Sequence, residues 1–275
     1  MRSMLFVPGD RPDRFAKAEA SGADAVILDL EDAVTPEQRP AARAAIAAHL
    51  AARPPAARDI PLWVRINPIQ TDDALADLVA VVPGRPDGVI LPKARHGDDV
   101  RRLDHWLEAL GAAMFGLGTY AGCSPRLWGL TWGAEDLATE LGALGNRDAA
   151  GEYELPYALA ATLTLYAASA AGVPALDTVD TEIRDVAAVE RRARASRRSG
   201  FVGKLAIHPA QVAALNAAFT PTGEEVAHAV RVRDAFAAAP TAGALRIDGK
   251  LVDRPHLLQA ERMLAAAARA AATKG

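Results

Sequence analysis

Short apolar runs rich in β-branched residues alternate along the chain with longer, Ala-rich segments of helical periodicity. Near-continuous apolar runs are typical of parallel strands covered on both faces, and their alternation with helices indicates βαβ units. The predicted strands are Ser3–Val7, Ala25–Asp29, Leu62–Ile66, Gly88–Pro92, Leu127–Trp132, Ala175–Val179 and Lys204–Ile207. The predicted helices between them are Pro12–Ala20, Pro36–Ala52, Asp72–Val81, Asp98–Leu110, Leu159–Ala171 and Ile183–Ser199.

Polar residues cluster just after the carboxyl ends of these strands, and their distribution helps to choose between two α/β folds. The clusters are Asp29 to Asp32, Arg65 to Asn67, Lys93, Glu135 with Asp136, Asp177 to Asp180, and His208. A (β/α)8 TIM barrel builds its active face from many strand ends in this way. A doubly wound sheet would instead favour one Gly-rich turn after its first strand, and no GxGxxG is present. The pattern therefore favours the barrel.

The count of strands is seven, one short of a closed barrel. The chain between Leu110 and Gly118 contains no convincing strand and no carboxylate, so one strand is missing near residue 111. The pattern also changes after Pro221, where a helix at Glu224–Ala239 precedes a Gly-rich turn and a final helix. We therefore predict a TIM barrel over residues 1–220 and a C-terminal extension over residues 221–275.

Composition indicates the size of the domain and the compartment of the protein more than the reaction it catalyses. At 275 residues the chain matches the roughly 250 that one barrel needs, and its net charge of −3, with scattered basic residues, gives no nucleic-acid footprint. Cys123 is the one cysteine, which predicts a structural role and a reducing, cytoplasmic setting. The uncharged stretch from Leu155 to Leu176 is interpreted as a buried barrel helix, and the N-terminal apolar run as a strand, so no membrane segment is expected.

Five carboxylates at strand ends suggest a site for a hard metal ion, since Mg²⁺ prefers oxygen ligands. They are Asp29, Glu31, Asp32, Glu135 and Asp136. The alternative for Glu31 and Asp32 is that they cap the following helix or pair with Arg65 or Lys93. No His/Cys cluster has the spacing of a zinc site.

Three basic residues each admit two interpretations. Arg65 lies on a buried strand and needs a partner, which is either the carboxylate of a keto-acid substrate or simply Glu31 or Asp32. Lys93 is either a Schiff-base nucleophile or part of a structural ion pair, and the ion pair is favoured. His208 is either a general base or a loop anchor with a fixed tautomer, and the anchor is favoured. Lys204, which precedes its strand, is assigned to the stability face.

These features occur together in an ordered set that resembles the HpcH/HpaI aldolase/citrate lyase family, in its citrate lyase β-subunit-like and malyl-CoA lyase-like branch. The resemblance spans nearly the whole chain. The matching stretches are Leu5-Phe-Val-Pro-Gly-Asp-Arg-Pro-Asp-Arg-Phe15, Ala25-Val-Ile-Leu-Asp-Leu-Glu-Asp-Ala-Val34, Val64-Arg-Ile-Asn67, Gly133-Ala-Glu-Asp-Leu137, Gly203-Lys-Leu-Ala-Ile-His-Pro209 and Asp248-Gly-Lys-Leu-Val-Asp-Arg-Pro255.

The resemblance implies Mg²⁺-dependent cleavage or formation of a 3-hydroxyacyl thioester of coenzyme A, with an acyl-CoA and a 2-keto acid as the other reactants. It implies that Arg65 binds the keto-acid carboxylate and that Asp136 is a metal ligand. Phe6, Arg11 and Lys17 match the residues that contact coenzyme A in the family. Asp253 would come from a neighbouring subunit and handle the proton at the thioester α-carbon, which requires a homo-oligomer, either a trimer or a hexamer.

The chain departs from the family at one metal ligand. Family members carry a second metal-binding glutamate on the strand before the segment matching Ala112 to Gly118, and here Leu110-Gly111 runs directly into Ala112. Either a barrel strand is lost or a segment is omitted; Glu108 is a poor substitute. Two alternatives to the lyase therefore stay open: an aldolase acting on free keto acids, and a non-catalytic homologue without a complete metal site. A subunit of a citrate lyase complex is a further possibility.

Overall fold

The computed structural model describes residues 1–109 and 124–272, which form two compact units, Met1–Asn216 and Ala217–Gly275. The first unit is built on a curled, parallel six-stranded sheet. Its strands are β1 (Ser3–Pro8), β2 (Ala25–Asp29), β3 (Leu62–Arg65), β4 (Gly88–Ile90), β5 (Leu176–Asp177) and β6 (Gly203–Ala206), in the spatial order β4-β3-β2-β1-β6-β5. A single parallel bridge between Leu130 and Ala175 lies beyond β5.

The order of the strands shows one sense of winding. From β1 to β4 each strand lies on the same side of the strand before it, β6 lies on that same side of β5, and β6 pairs with β1. A doubly wound sheet reverses direction at a switch point, and this sheet does not. The described residues show a half-barrel of six strands, so the predicted TIM barrel, with one strand missing near residue 111, is confirmed only in part. The predicted strand Leu127–Trp132 contributes only its bridge, and the predicted gap near residue 111 lies outside the described residues.

Helices cover the sheet because their apolar residues recur at helical spacing. In α2 the buried Ala42, Ile46 and Leu50 lie four residues apart on one face. The helices of this unit are α1 (Phe15–Glu19), α2 (Arg39–Ala52), α3 (Asp72–Val81), α4 (Gly97–Ala109), α5 (Ala134–Glu140), α6 (Leu155–Ala171), α7 (Val186–Ser199) and α8 (Pro209–Phe219), the last of which runs past the boundary. Across the described ranges, no helix combines the length and apolar character that a membrane crossing requires.

The second unit contains α9 (Gly223–Ala238), the strands β7 (Ala244–Ile247) and β8 (Lys250–Asp253), and α10 (Arg254–Ala272). Thr222 and Glu225 form a capping box that begins α9. The two strands form an antiparallel hairpin around Asp248 and Gly249, which have φ angles of 50° and 78°. Two successive positive φ angles are those of a type I′ turn, whose twist matches that of a hairpin. The predicted role of this extension at a neighbouring subunit's site stays a prediction.

Candidate active site

An arginine and a carboxylate pair across two strands at the carboxyl edge of the sheet. Asp29 ends β2, Arg65 ends β3, and the parallel register places them opposite one another. Arg65 Nε lies 2.7 Å from Asp29 Oδ1, and Nη2 lies 2.8 Å from Oδ2. The ring of Phe6 lies 4.6 Å from the guanidinium carbon. The partner of Arg65 in this structure is therefore an internal carboxylate, and its predicted contact with a keto acid stays a prediction.

Glu31 extends this pair into a cluster. Its Oε2 lies 2.9 Å from Arg65 Nη1 and its Oε1 lies 2.7 Å from Lys93 Nζ. Lys93 Nζ also lies 2.9 Å from Asp32 Oδ1 and 3.5 Å from Asp136 Oδ1. Lys93 follows β4 with a φ of 51°, a left-handed conformation that is uncommon for a residue with a side chain. The cluster thus draws on the ends of β2, β3 and β4 and on the start of α5.

Charge and burial act in opposite directions on the pKa values of this cluster. Burial lowers the pKa of Lys93, but the nearby carboxylates of Glu31 and Asp32 outweigh it and raise the pKa above its ordinary value. For Arg65, burial is likewise outweighed by Asp29 and Glu31, and its pKa is raised. Burial raises the pKa of Glu31 despite both cations, whereas contact with Lys93 lowers that of the more exposed Asp32. A lysine held in its charged form is a poor Schiff-base nucleophile, which supports the ion-pair interpretation of Lys93.

Asp136 lies in the first turn of α5 and its side chain is about half exposed. A Cβ atom on Gly133 would lie 2.8 Å from Asp136 Oδ2, so a side chain there would displace that carboxylate. The neighbouring Glu135 accepts a hydrogen bond of 2.7 Å from Asn146 Nδ2. Asp136 is therefore the carboxylate of this turn that remains open to a ligand.

The donor set fits Mg²⁺ in part. An exposed carboxylate with further carboxylates at the same edge is an all-oxygen set, and Mg²⁺ commonly uses one or two protein carboxylates with water and substrate completing its shell. Within residues 1–109 and 124–272, no three His, Cys, Asp or Glu side chains are grouped to hold one metal ion. The position predicted to lack the second glutamate, and the side chain of Glu108, lie outside the described part of the chain.

The remaining predicted residues are placed as follows. Arg11 and Lys17 are exposed, and Arg11 forms two hydrogen bonds with Asp13, of 3.0 and 2.9 Å. His208 Nδ1 accepts a hydrogen bond of 3.2 Å from the backbone N–H of Ala210, as expected of a loop anchor with a fixed tautomer. Cys123 lies outside the described residues.

The predicted role of Asp253, in the second unit, as a proton carrier at a neighbouring subunit's site stays a prediction. Asp253 ends β8, is half exposed, and its Oδ1 lies 2.5 Å from His256 Nδ1. The hydrogen bond from His256 lowers the pKa of Asp253 below its ordinary value. The imidazole that lowers this pKa is that of His256, which is half exposed in the first turn of α10 and close to Asp253 in sequence.

Lys204 has a buried carboxylate partner that the sequence analysis did not name. Lys204 lies within β6 and its Nζ reaches Asp177 Oδ2 at 2.7 Å, at the carboxyl end of β5. Lys204 pairs with Ser3 at the start of β1, in keeping with its assignment to the amino-terminal side of the sheet, and its ammonium group binds Asp177. The signal in the sequence was Asp177 at the end of the preceding strand, because a buried lysine needs a carboxylate partner.

Fold and site together define a parallel α/β protein with an arginine–carboxylate cluster, and an open carboxylate beside it, at the carboxyl edge of a half-barrel. The sequence matches the family model for HpcH/HpaI aldolase/citrate lyase over residues 2–114 and 118–209. The chain therefore belongs to that family, which confirms the resemblance. The match is interrupted at residues 115–117, close to the predicted missing strand.

Three relatives show what the chain is similar to. The citrate lyase subunit beta-like protein of Mycobacterium tuberculosis is 39% identical over 270 residues, covering 94% of this chain and 93% of its own. The (3S)-malyl-CoA thioesterase of Cereibacter sphaeroides is 33% identical over 275 residues, covering 97% and 94%. The crystal structure of protein CitE from M. tuberculosis, in complex with magnesium, acetoacetate and coenzyme A, superimposes with a TM-score of 0.78 at 36% identity, covering 97% and 98%.

Proposed function

We propose that this protein is a Mg²⁺-dependent carbon–carbon lyase or synthase that acts on a 3-hydroxyacyl thioester of coenzyme A of the malyl or citramalyl type. One observation carries the proposal. Lys93 Nζ links Glu31, which is bound to Arg65, with Asp136. The residue suited to a keto-acid carboxylate and the carboxylate suited to a metal are thereby brought to one edge of the sheet. The relative crystallised with magnesium, acetoacetate and coenzyme A supports the same ligand classes.

Arg65 is oriented for a second, external carboxylate. A guanidinium has five N–H donors in a fixed fork. Three of the nitrogen-to-carboxylate contacts of Arg65 go to Asp29 and Glu31. One N–H on each terminal nitrogen therefore remains for the carboxylate and carbonyl oxygens of a 2-keto acid. Because Asp29 fixes the plane of the fork, the substrate meets a preorganised donor.

The reaction breaks the bond between the carbon bearing the hydroxyl group and the thioester α-carbon. The hydroxyl proton passes to water, the C–O bond becomes the carbonyl of the keto acid, and the electron pair of the broken bond passes to the thioester as an enolate. Asp253 of a neighbouring subunit would deliver a proton to that α-carbon, or remove one in the synthetic direction. Mg²⁺ bound through Asp136 would offset the negative charge that develops on oxygen. Phe6, Arg11 and Lys17 would bind the coenzyme A moiety.

The test separates bond cleavage from thioester hydrolysis. The purified protein is incubated with malyl-CoA and with citramalyl-CoA, with Mg²⁺ and with a chelator, and both 2-keto acid and free thiol are measured. Metal-dependent release of keto acid without free thiol is the expected result. A folded protein that releases neither product contradicts the proposal and favours the non-catalytic homologue. Equal activity of an Arg11→Ala, Lys17→Ala double variant would favour the aldolase on free keto acids.

A second candidate function is hydrolysis of the malyl thioester. It is favoured by the 33% identity with the C. sphaeroides protein of that name, over 97% of this chain. The same cluster would then bind the malyl carboxylate while water attacks the thioester carbonyl. Free thiol and malate, in the absence of keto acid, would establish this function in the assay above.

A further inference from the structure

The turn that carries Asp136 is held by buried side chains of the neighbouring strand. The backbone N–H of Ala134 donates to Thr178 Oγ1 at 3.2 Å, and Trp132 Nε1 donates to Asp177 Oδ1 at 2.9 Å. Thr178 is 1% exposed and Asp177 is 3% exposed. The two hydrogen bonds bracket Gly133, the residue at which the chain turns into α5. The residues on both sides of Gly133 are therefore held by side chains that do not contact Asp136.

Asp177 is itself fixed by a buried cation. Its Oδ2 accepts hydrogen bonds of 2.7 Å from Lys204 Nζ and 2.7 Å from Ser196 Oγ, and its Oδ1 accepts one of 2.9 Å from the backbone N–H of Thr178. Lys204 is 1% exposed. A buried charge that loses its partner is strongly unfavourable, so the pair holds the carboxylate in one orientation. Lys204 therefore holds the Asp177 carboxylate in place, and that carboxylate in turn holds the indole of Trp132 through its hydrogen bond.

We propose that Lys204, Asp177 and Thr178 are positioning residues for Asp136, which set the orientation of its carboxylate toward the divalent metal. The inference rests on the proposed function, in which Asp136 is a metal ligand. Residues behind a metal ligand commonly change metal affinity by about 10- to 100-fold when they are replaced. A purely structural role would lower stability and leave metal affinity unchanged.

The amino ends of the strands provide a matched control. Ser3 begins β1, is fully buried, and its Oγ accepts a hydrogen bond of 3.3 Å from the backbone N–H of Asp24. Thr178 Oγ1 accepts the same kind of hydrogen bond, from the backbone N–H of Ala134 at 3.2 Å. Thr178→Val and Ser3→Ala each remove one buried hydroxyl acceptor. Of these two hydroxyl groups, the one on Thr178 binds the turn that carries Asp136. Thr178→Ser keeps the oxygen and serves as the conservative rescue.

The experiment has two readouts besides activity. Mn²⁺ affinity is measured by electron paramagnetic resonance, with Mg²⁺ as the competitor, and hydrogen exchange of the peptide containing Ala134 is measured without metal. Thr178→Val and Lys204→Met are expected to weaken Mn²⁺ binding by about 10- to 100-fold and to speed exchange of the turn. Thr178→Ser and Ser3→Ala are expected to match the unaltered protein in both readouts.

The outcomes distinguish a failure of this inference from a failure of the proposed function. Unchanged metal affinity in a folded Thr178→Val protein, or the same loss in Ser3→Ala, overturns the inference. Absence of Mn²⁺ binding by the unaltered protein overturns the proposed function, and the exchange of the turn then decides alone whether these residues position Asp136.

Discussion

Asp29 and Arg65 lie opposite one another in the parallel ladder between β2 and β3 and are joined by two hydrogen bonds, of 2.7 and 2.8 Å. The pair is adjacent in space because the two strands end at the same level. Its geometry is that of a fork meeting a carboxylate, which an ammonium group cannot reproduce.

Arg65→Lys is expected to lower the rate of keto-acid release by roughly 10²-fold or more, as the loss of one preorganised donor to a developing oxyanion does. The measurement is kcat/KM for the thioester that the unaltered protein cleaves. Arg101→Lys is the control, because Arg101 forms an exposed pair with Asp98 on α4. A variant that retains full kcat/KM would show that the fork of Arg65 has no part in the reaction.

Lys93 is expected to form no covalent adduct with a 2-keto acid. Its pKa is raised by Glu31 and Asp32, and a Schiff base requires the neutral amine. The protein is incubated with pyruvate or glyoxylate, reduced with borohydride, and examined by peptide mass spectrometry. A reduced adduct on the peptide containing Lys93 would contradict the metal-dependent mechanism.

Mixing two inactive proteins tests whether Asp253 acts across subunits. Asp253→Ala and Arg65→Ala are each expected to be inactive alone, and a mixture allowed to exchange subunits should recover activity. Recovery is expected because some sites would combine an intact Arg65 with an intact Asp253. Subunit exchange is checked with differently tagged proteins, and exchange without recovered activity would exclude a shared site.

The ion pair between Asp180 and Arg192 is expected to make stability depend on pH. Asp180 is buried, and although burial raises its pKa, two hydrogen bonds from Arg192, of 2.7 and 2.9 Å, hold it below the ordinary value. A lowered pKa contributes stability above the unfolded value of about 3.9, and this stability is lost as the pH falls through the folded pKa. Arg192→Met is therefore expected to cost most near neutral pH and progressively less below about pH 4.

The measurement is the free energy of unfolding in urea at several pH values. Arg101→Met, at the exposed pair with Asp98, is the control and is expected to change little at any pH. A constant difference between the Arg192 variant and the unaltered protein down to pH 3 would mean that Asp180 does not titrate through this pair.

Gly9→Ala is expected to disturb both the fold and the site. A Cβ atom at Gly9 would lie 2.6 Å from the backbone oxygen of Asp29 and 2.9 Å from Ile46 Cδ1. Overpacking of this kind costs about 1–3 kcal/mol, and here it displaces the end of β2 that carries Asp29. Gly223→Ala is the control, because nothing lies within 4 Å of its Cβ position. Equal melting temperatures and equal kcat/KM for the two variants would contradict this account.

The strands that carry the cluster could be predicted because their apolar runs are bounded by polar residues. Ala25–Asp29 was predicted at the observed boundaries, and Leu62–Ile66 exceeds the observed strand by one residue. The shared edge of Asp29, Arg65 and Lys93 followed from parallel strands ending together. Which carboxylate each cation selects was left open, because the choice depends on side-chain distances that the pattern does not contain.

One element was not predicted, and one predicted strand pairs less than expected, for different reasons. The β7–β8 hairpin had a signal, Asp248-Gly249 between alternating apolar residues, which is typical of a type I′ turn. Among the described residues, the predicted strand Leu127–Trp132 pairs through a bridge at Leu130, although its composition is that of a strand. Composition reports that a segment is apolar, whereas its pairing depends on the neighbouring strand, and that information is not local.

The pairing of β1 with β6 has a consequence for how the protein is made. Ser3, Met4 and Leu5 pair with Lys204, Leu205 and Ala206, so the first strand of this sheet to be synthesised waits for its last described strand. At a synthesis rate of about 5–20 residues per second, that wait is roughly 10 to 40 s. During this time one edge of β1 offers unpaired backbone groups to other chains. Yield from rapid expression should therefore respond to chaperones that shield nascent chains, and slower translation of the stretch after β4 should offer no benefit.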